Sequence, residues 1–173
     1  LPFWSYLTTP IFRTFIQRQI NDVFGGRLKL MVSGGASLPP NVGRFFVALG
    51  IRLVQGYGQT EASPVISVSP ISDNRVATVG LPLRGVKVKV SASGELLVKG
   101  GLVMEGYWNN PKETAKVIKN GWLHTGDLGE IDRDGFVTIT GRSKDIIVNS
   151  GGENISPSRV EARLTGQPNI AQA

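Results

Sequence analysis

With 173 residues, 40% of them hydrophobic and 18% charged, the chain is long enough to bury a core and too apolar to be globally disordered. The absence of cysteine excludes disulfide frameworks, thiolate zinc sites and cysteine nucleophiles, and the single histidine, His124, excludes a His-rich metal centre. Nineteen basic against thirteen acidic residues give +6, a surplus that favours anionic partners, although the basic residues are scattered as on a solvated surface.

No initiator Met and no charged segment leading an apolar stretch opens the sequence, so no signal peptide is expected and the chain reads as an internal piece. Apolar residues at Ile11, Phe12, Phe15, Ile16, Ile20, Val23 and Phe24 form a helical stripe that Gly25-Gly26 ends. Leu28 to Val32 predicts a short buried strand, Ser33 to Pro40 a loop, Asn41 to Leu49 a second helix, and Ile51 to Gln55 another strand with a loop after it. The best apolar run, Phe45 to Val54, contains Arg52 and falls well short of the roughly 20 residues that span a bilayer. This order is α/β in character, and in such sheets ligands collect at the loops beyond strand carboxyl ends.

After Pro70 the texture becomes strand-like. Val86, Val88 and Val90 alternate with Lys87 and Lys89, and the turn Ser93-Gly94 leads to a strand from Glu95 to Lys99. Pro111 to Lys119 predicts a surface helix with Asn120-Gly121 at its end. A second hairpin is expected around the turn Asp132 to Gly135, a strand at Ile146 to Asn149, and a helix begun by Ser156-Pro157 and stopped by Gly166.

The 22 glycines are the informative excess, about 13% against the usual ~7%. In Ser33-Gly34-Gly35-Ala36-Ser37 small residues after a strand let a flat ligand touch the backbone, or simply make a tight turn. Gly56-Tyr57-Gly58-Gln59-Thr60-Glu61 puts an aromatic face, a hydroxyl and a carboxylate close together, as a base, a phosphate and Mg²⁺ would require. In Trp122 to Asp127 a carboxylate follows a glycine, suited to accept from a ribose diol, with an ordinary turn as the alternative. In Gly141-Arg142-Ser143-Lys144-Asp145 the arginine can pair with Asp127 or hold an anion.

Taken in order, Tyr57 to Glu61, Thr125-Gly126-Asp127 and Gly141 to Asp145, with Gly100 to Pro111 between, resemble the signature segments of the adenylate-forming acyl-CoA synthetases. Gly151 to Pro157 and Gly100 to Pro111 look most like the long-chain fatty acyl-CoA members. The resemblance implies the later part of a large domain, an α/β layer plus a β-rich subdomain, over residues 1–143, and the start of a small mobile α+β domain over 144–173. It implies ATP, Mg²⁺ and CoA as co-substrates, and a fatty acid activated as its adenylate.

By the same resemblance Gly35, Ala36 and Ser37 lie along adenine and Tyr57 stacks on it, with Gly58 and Gln59 in the same nucleotide-binding segment. Thr60 contacts the α-phosphate, Glu61 holds Mg²⁺, Asp127 accepts the ribose hydroxyls and Arg142 assists. Lys144 matches the hinge, and Gly151 a backbone contact to CoA. The family's upstream phosphate loop and its lysine near the far carboxyl end are not in this sequence, so this piece alone is expected to be inactive. A cytoplasmic location follows from the resemblance, with peripheral membrane contact left open. A different carboxylate or acceptor is one alternative; a basic nucleic-acid-binding module is another, disfavoured by the lack of any basic cluster or aromatic platform.

Overall fold

The structure, a computed structural model, describes residues 10–148, 151, 154–155, 157–164, 167 and 169–170. The first apolar stripe folds as helix α1, Pro10–Val23. It closes where glycine permits: Gly25 and Gly26 take φ of +74° and +71°, and the Gly26 N–H reaches back to the Asn21 carbonyl at 2.6 Å. Strand β1, Met31–Ser33, helix α2, Pro40–Ala48, and strand β2, Leu53–Tyr57, follow. They form a parallel unit with Met31 opposite Leu53 and Ser33 opposite Gln55. Parallel strands need a crossover, which α2 provides.

Two strands differ from expectation. β1 starts at Met31, not Leu28, and it is not buried: Val32 is 63% exposed, because among the described residues β1 pairs with β2 alone. β2 starts two residues late and runs on through Gly56-Tyr57, whose composition suggests a loop. Antiparallel pairing with β3, Ser67–Val68, overrides that preference by setting Gly56 opposite Val68 and Tyr57 opposite Ser67. Strand β4, Leu81–Pro82, completes the order β1-β2-β3-β4.

The second sheet starts with the expected hairpin of β5, Lys87–Val90, and β6, Glu95–Lys99. Helix α3, Pro111–Val117, is capped by Asn110, whose Oδ1 accepts the Glu113 N–H at 3.2 Å. It ends early, and Ile118–Lys119 forms strand β7. Asn120-Gly121 is therefore the two-residue turn of a hairpin and not a helix stop. Its φ values of +52° and +74° are those an Asn-Gly turn favours. Strand β8, Trp122–Ile131, and strand β9, Val137–Arg142, give the order β5-β6-β8-β7 with β9 on the free length of β8.

Much of the core is carried by this second sheet. Leu96 and Val98 from β6, Leu123 from β8 and Val137 from β9 are essentially inaccessible, together with Ala62 and Ile66 from the segment after β2. Backbone bonds join the two sheets: the Val79 N–H donates to the Val137 carbonyl, and the Val137 N–H to the Gly80 carbonyl, both at 2.8 Å. Beyond β9 come strands β10, Ile147–Val148, and β11, Asn154–Ile155, paired antiparallel, and helix α4, Pro157–Leu164. The expected cap Ser156, the stop Gly166, and Asn149, Ser150 and Gly152 lie outside the described residues. Among the described residues no helix is long and apolar enough to cross a membrane.

Candidate functional site

The loop after β1 and the end of β2 are neighbours because the two strands run parallel. A side-chain carbon on Gly34 would sit 3.2 Å from the Gly56 carbonyl oxygen, so this approach suits a residue without one. Gly35 follows with φ +81°, and Gly35, Ala36 and Ser37 are exposed.

Tyr57 is the last residue of β2, and its ring packs against the core of the second sheet. Its hydroxyl donates to Asp127 Oδ2 at 2.6 Å. Burial, then this hydrogen bond to the carboxylate, pushes the phenol well above its ordinary pKa. The other carboxylate oxygen, Oδ1, accepts from Arg142 Nε at 3.1 Å. Asp127 is buried at 4% exposure, while the Arg142 side chain is 68% exposed. A buried acceptor is thus oriented from both sides, and each of its oxygens keeps a second lone pair.

Thr125-Gly126-Asp127 suggests a turn by composition, yet it lies within β8. Gly126 adopts φ +74°, and the local departure from the ladder is held by Thr125. The Thr125 hydroxyl donates to the Leu96 carbonyl at 2.8 Å and accepts the Asp127 N–H at 3.1 Å. Asp127 then sits opposite Arg142 in the β8–β9 register. The anticipated Asp127–Arg142 pairing is a consequence of that register.

Gly58 and Gln59 carry the chain from Tyr57 into a single 3-10 turn, Thr60–Ala62. A side-chain carbon on Gly58 would fall 1.7 Å from the Pro64 carbonyl oxygen, so glycine is needed here for chain packing whatever a ligand requires. Ala62 anchors the turn in the core, leaving Thr60 exposed and Glu61 half-buried. The Glu61 carbonyl accepts the Met104 N–H at 2.9 Å, and its Oε1 accepts the Tyr107 hydroxyl at 2.7 Å. Tyr107 is a site neighbour that composition and spacing do not pick out, since its contact spans 46 residues. Hydrogen bonding to Glu61 raises its phenol pKa.

Lys144 lies in the exposed turn after β9, and Gly151 in the exposed turn between β10 and β11. The first is tied to the site through its neighbour, because the Ser143 N–H donates to the Gly126 carbonyl at 2.8 Å. Tyr57, Asp127 and Arg142 are thus in direct contact, and Thr60 and Glu61 extend from the same strand end. Among the described residues no group of three or more His, Cys, Asp or Glu side chains is arranged to hold a metal ion. Glu61 is a single carboxylate, the donor count that suits Mg²⁺ when substrate phosphates and waters supply the remaining ligands.

The AMP-binding enzyme family matches residues 2–108, well over half of the chain. The chain belongs to that family. Among relatives of this chain, the long-chain-fatty-acid–CoA ligase FadD15 of Mycobacterium bovis is 42% identical over 163 residues, covering 94% of this chain and 27% of that protein. A long-chain-fatty-acid–CoA ligase of Bacillus subtilis is 42% identical over 150 residues, covering 79% of this chain and 27% of that protein. The chain therefore spans about a quarter of the length of these curated relatives. Among solved structures, o-succinylbenzoate CoA synthetase (MenE) from Bacillus subtilis, in complex with the acyl-adenylate intermediate OSB-AMP, superposes with a TM-score of 0.79 at 30% identity. That likeness covers 91% of this chain and 36% of that one. The α/β layer followed by a β-rich sheet is thus a portion of the adenylate-forming fold.

Proposed function

We propose that the protein carrying this chain is an ATP-dependent, AMP-forming fatty acyl-CoA ligase, acting on long-chain acids through an acyl-adenylate. The observation that carries the proposal is the contact of Tyr57 with Asp127. An aromatic face and a buried carboxylate are one hydrogen bond apart, which is the order of base and sugar in a nucleoside. In this proposal Gly35, Ala36 and Ser37 line the base, and Tyr57 stacks on it, with Gly58 and Gln59 shaping the loop. Asp127 accepts the ribose hydroxyls through its remaining lone pairs, and Arg142, with only Nε committed to Asp127, has guanidinium N–H groups left for the ligand.

In the first step a carboxylate oxygen of the acid attacks the α-phosphorus of ATP. The bond from that phosphorus to the bridging oxygen breaks, and pyrophosphate leaves. Thr60 is the residue that would donate to the α-phosphate, stabilising charge on its non-bridging oxygens in the transition state. Glu61, oriented by Tyr107, is the residue that would hold Mg²⁺, which when bound neutralises phosphate charge. In the second step the CoA thiol sulfur attacks the acyl carbonyl, the carbonyl–oxygen bond to AMP breaks, and the thiol loses its proton. Residues 1–143 form the later part of the large domain and residues 144–173 the opening of the mobile one. Lys144 is the hinge between them, and Gly151 offers its backbone to CoA.

The long-chain assignment is supported by the names of the two ligase relatives; the MenE likeness keeps other acids as the competing reading. The test is pyrophosphate release by the full-length protein with ATP, Mg²⁺ and a panel of medium-chain, long-chain and aromatic acids. Release greatest with long-chain acids, and acyl-CoA formation when CoA is added, is the expected result. Release only with aromatic acids would overturn the substrate class, and none with any acid would overturn the reaction.

A further inference from the structure

We propose that Glu95 is a positioning residue for the nucleotide site, holding the β8 bulge that delivers Asp127. The proposal rests on the assignment of Asp127 as the ribose acceptor. Glu95 opens β6, and its partner in β8 is Leu128, whereas Leu97 pairs with His124. Two steps along β6 thus correspond to four along β8, and the surplus is taken up around Thr125-Gly126-Asp127. Residues in such a bulge lose their ladder partners and need others.

Glu95 supplies them. Its Oε1 accepts the Gly126 N–H at 2.9 Å, and its Oε2 lies 2.9 Å from His124 Nδ1. One carboxylate therefore spans the bulge from the residue before Thr125 to the residue after it. The Glu95 side chain is only 19% exposed, so water competes poorly for these bonds. Its own backbone is pinned: the Glu95 N–H donates to Ser91 Oγ at 3.0 Å, and its carbonyl accepts the Ser91 N–H at 2.8 Å.

The Gly126 residue that Glu95 grips is bonded at its other end as well, since its carbonyl accepts the Ser143 N–H. Through this one glycine Glu95 fixes the residue immediately before Asp127 and is linked to the residue immediately after Arg142. Asp127 oxygens are bonded to Tyr57 and Arg142 at 2.6 and 3.1 Å. A bulge free to shift by about 1 Å would misalign the acceptor, an error large enough to matter for a ligand held by paired hydrogen bonds.

The experiment compares the affinities of AMP and 2′-deoxy-AMP for the full-length protein and its Asp127→Ala, Glu95→Ala and Glu95→Gln variants. The unaltered protein is expected to prefer AMP, and Asp127→Ala to abolish the preference. Glu95→Ala is expected to weaken AMP about tenfold while moving 2′-deoxy-AMP much less, because what it disturbs is the sugar acceptor. Glu95→Gln, which keeps an oxygen for the Gly126 N–H, is expected to restore most of the preference. Equal weakening of both ligands by Glu95→Ala, the mark of a merely structural role, would overturn the positioning role. Should Glu95→Ala not fold, Glu95→Asp, one methylene shorter, carries the same comparison. Full discrimination in Glu95→Ala or Glu95→Asp, alongside its loss in Asp127→Ala, would overturn the positioning role alone. Discrimination retained by Asp127→Ala would overturn the ribose assignment and the positioning role with it.

Discussion

The α/β layer formed by α1, β1, α2 and β2 and the sheet formed by β5 to β9 are built from similar apolar content but hold it differently. In the first, Phe15, Val23, Val32, Phe45 and Val47 are exposed, and the buried apolar residues are Leu49, Leu53 and Val54. In the second, Leu96, Val98, Leu123, Phe136 and Val137 are buried, and Lys87, Lys89 and Lys99 face outward. A parallel sheet is stable when both faces are covered, whereas an antiparallel one can leave a face to water. Among the described residues the second sheet thus holds more of the buried apolar side chains, and with them more of the packing stability, and the candidate site lies where the two sheets meet.

The largest expected effect tests that division of stability. Leu123→Ala should cost about 2–5 kcal/mol, because it opens a cavity in the closed core. Val32→Ala should stay within about 0.5 kcal/mol, because its side chain already meets water. Shifts of the urea midpoint measure both, and equal losses would erase the contrast. Gly58→Ala addresses the seam. With Pro64 backbone in the way, it should cost about 1–3 kcal/mol and displace Thr60 and Glu61, which a crystal structure of the variant would reveal.

Tyr57→Phe removes the side-chain bond that crosses from β2 to β8. About 1 kcal/mol of stability should be lost, and AMP affinity should fall more than affinity for pyrophosphate, which does not reach the base. The smallest effect concerns a second crossing contact, in which Arg75 Nη1 donates to Asp132 Oδ2 at 2.8 Å and the guanidinium lies 3.9 Å over the Phe136 ring. The Phe136 N–H, first, then that of Asp134 and the Arg75 charge, hold the Asp132 pKa below the usual aspartate value, against an opposing desolvation that only the Phe136 bond exceeds. A depressed carboxyl pKa contributes stability above the unfolded value, near 4, and the contribution is lost as pH falls from there through the lower folded value. Asp132→Asn should therefore be less stable than the unaltered protein at neutral pH, with the gap closing as the pH drops below about 4 in denaturant titrations. A gap independent of pH would remove the ionic part of this contact.

Much of the architecture was legible because glycine and proline act locally. Gly25-Gly26 ends α1 where the residue pattern predicts, and α2 begins at Pro40, one residue before the expected Asn41 and inside the expected loop, because proline suits a first helical turn. What failed was set by distant partners. Gly56-Tyr57 is strand because β3 returns beside it, and Asn120-Gly121 turns a hairpin because Ile118 and Lys119 pair with β8. Within the site, the motif residues could be picked out through their order along the chain and its family resemblance, and the Asp127–Arg142 pairing was one of two roles open to the arginine; Thr-Gly-Asp alone reads as a turn. Tyr107 and Glu95 could not be picked out, because a tyrosine before a tryptophan or a glutamate after a Ser-Gly turn has no local peculiarity. Their meaning comes from contacts made 46 and 31 residues away.

Tyr57 and Arg142 bond the two oxygens of Asp127, one each. Under the ribose role proposed for Asp127, a sugar hydroxyl would meet an acceptor whose rotamer these two bonds already hold, leaving little orientational freedom for association to remove. In that reading, recognition at this position would resemble insertion into a finished socket.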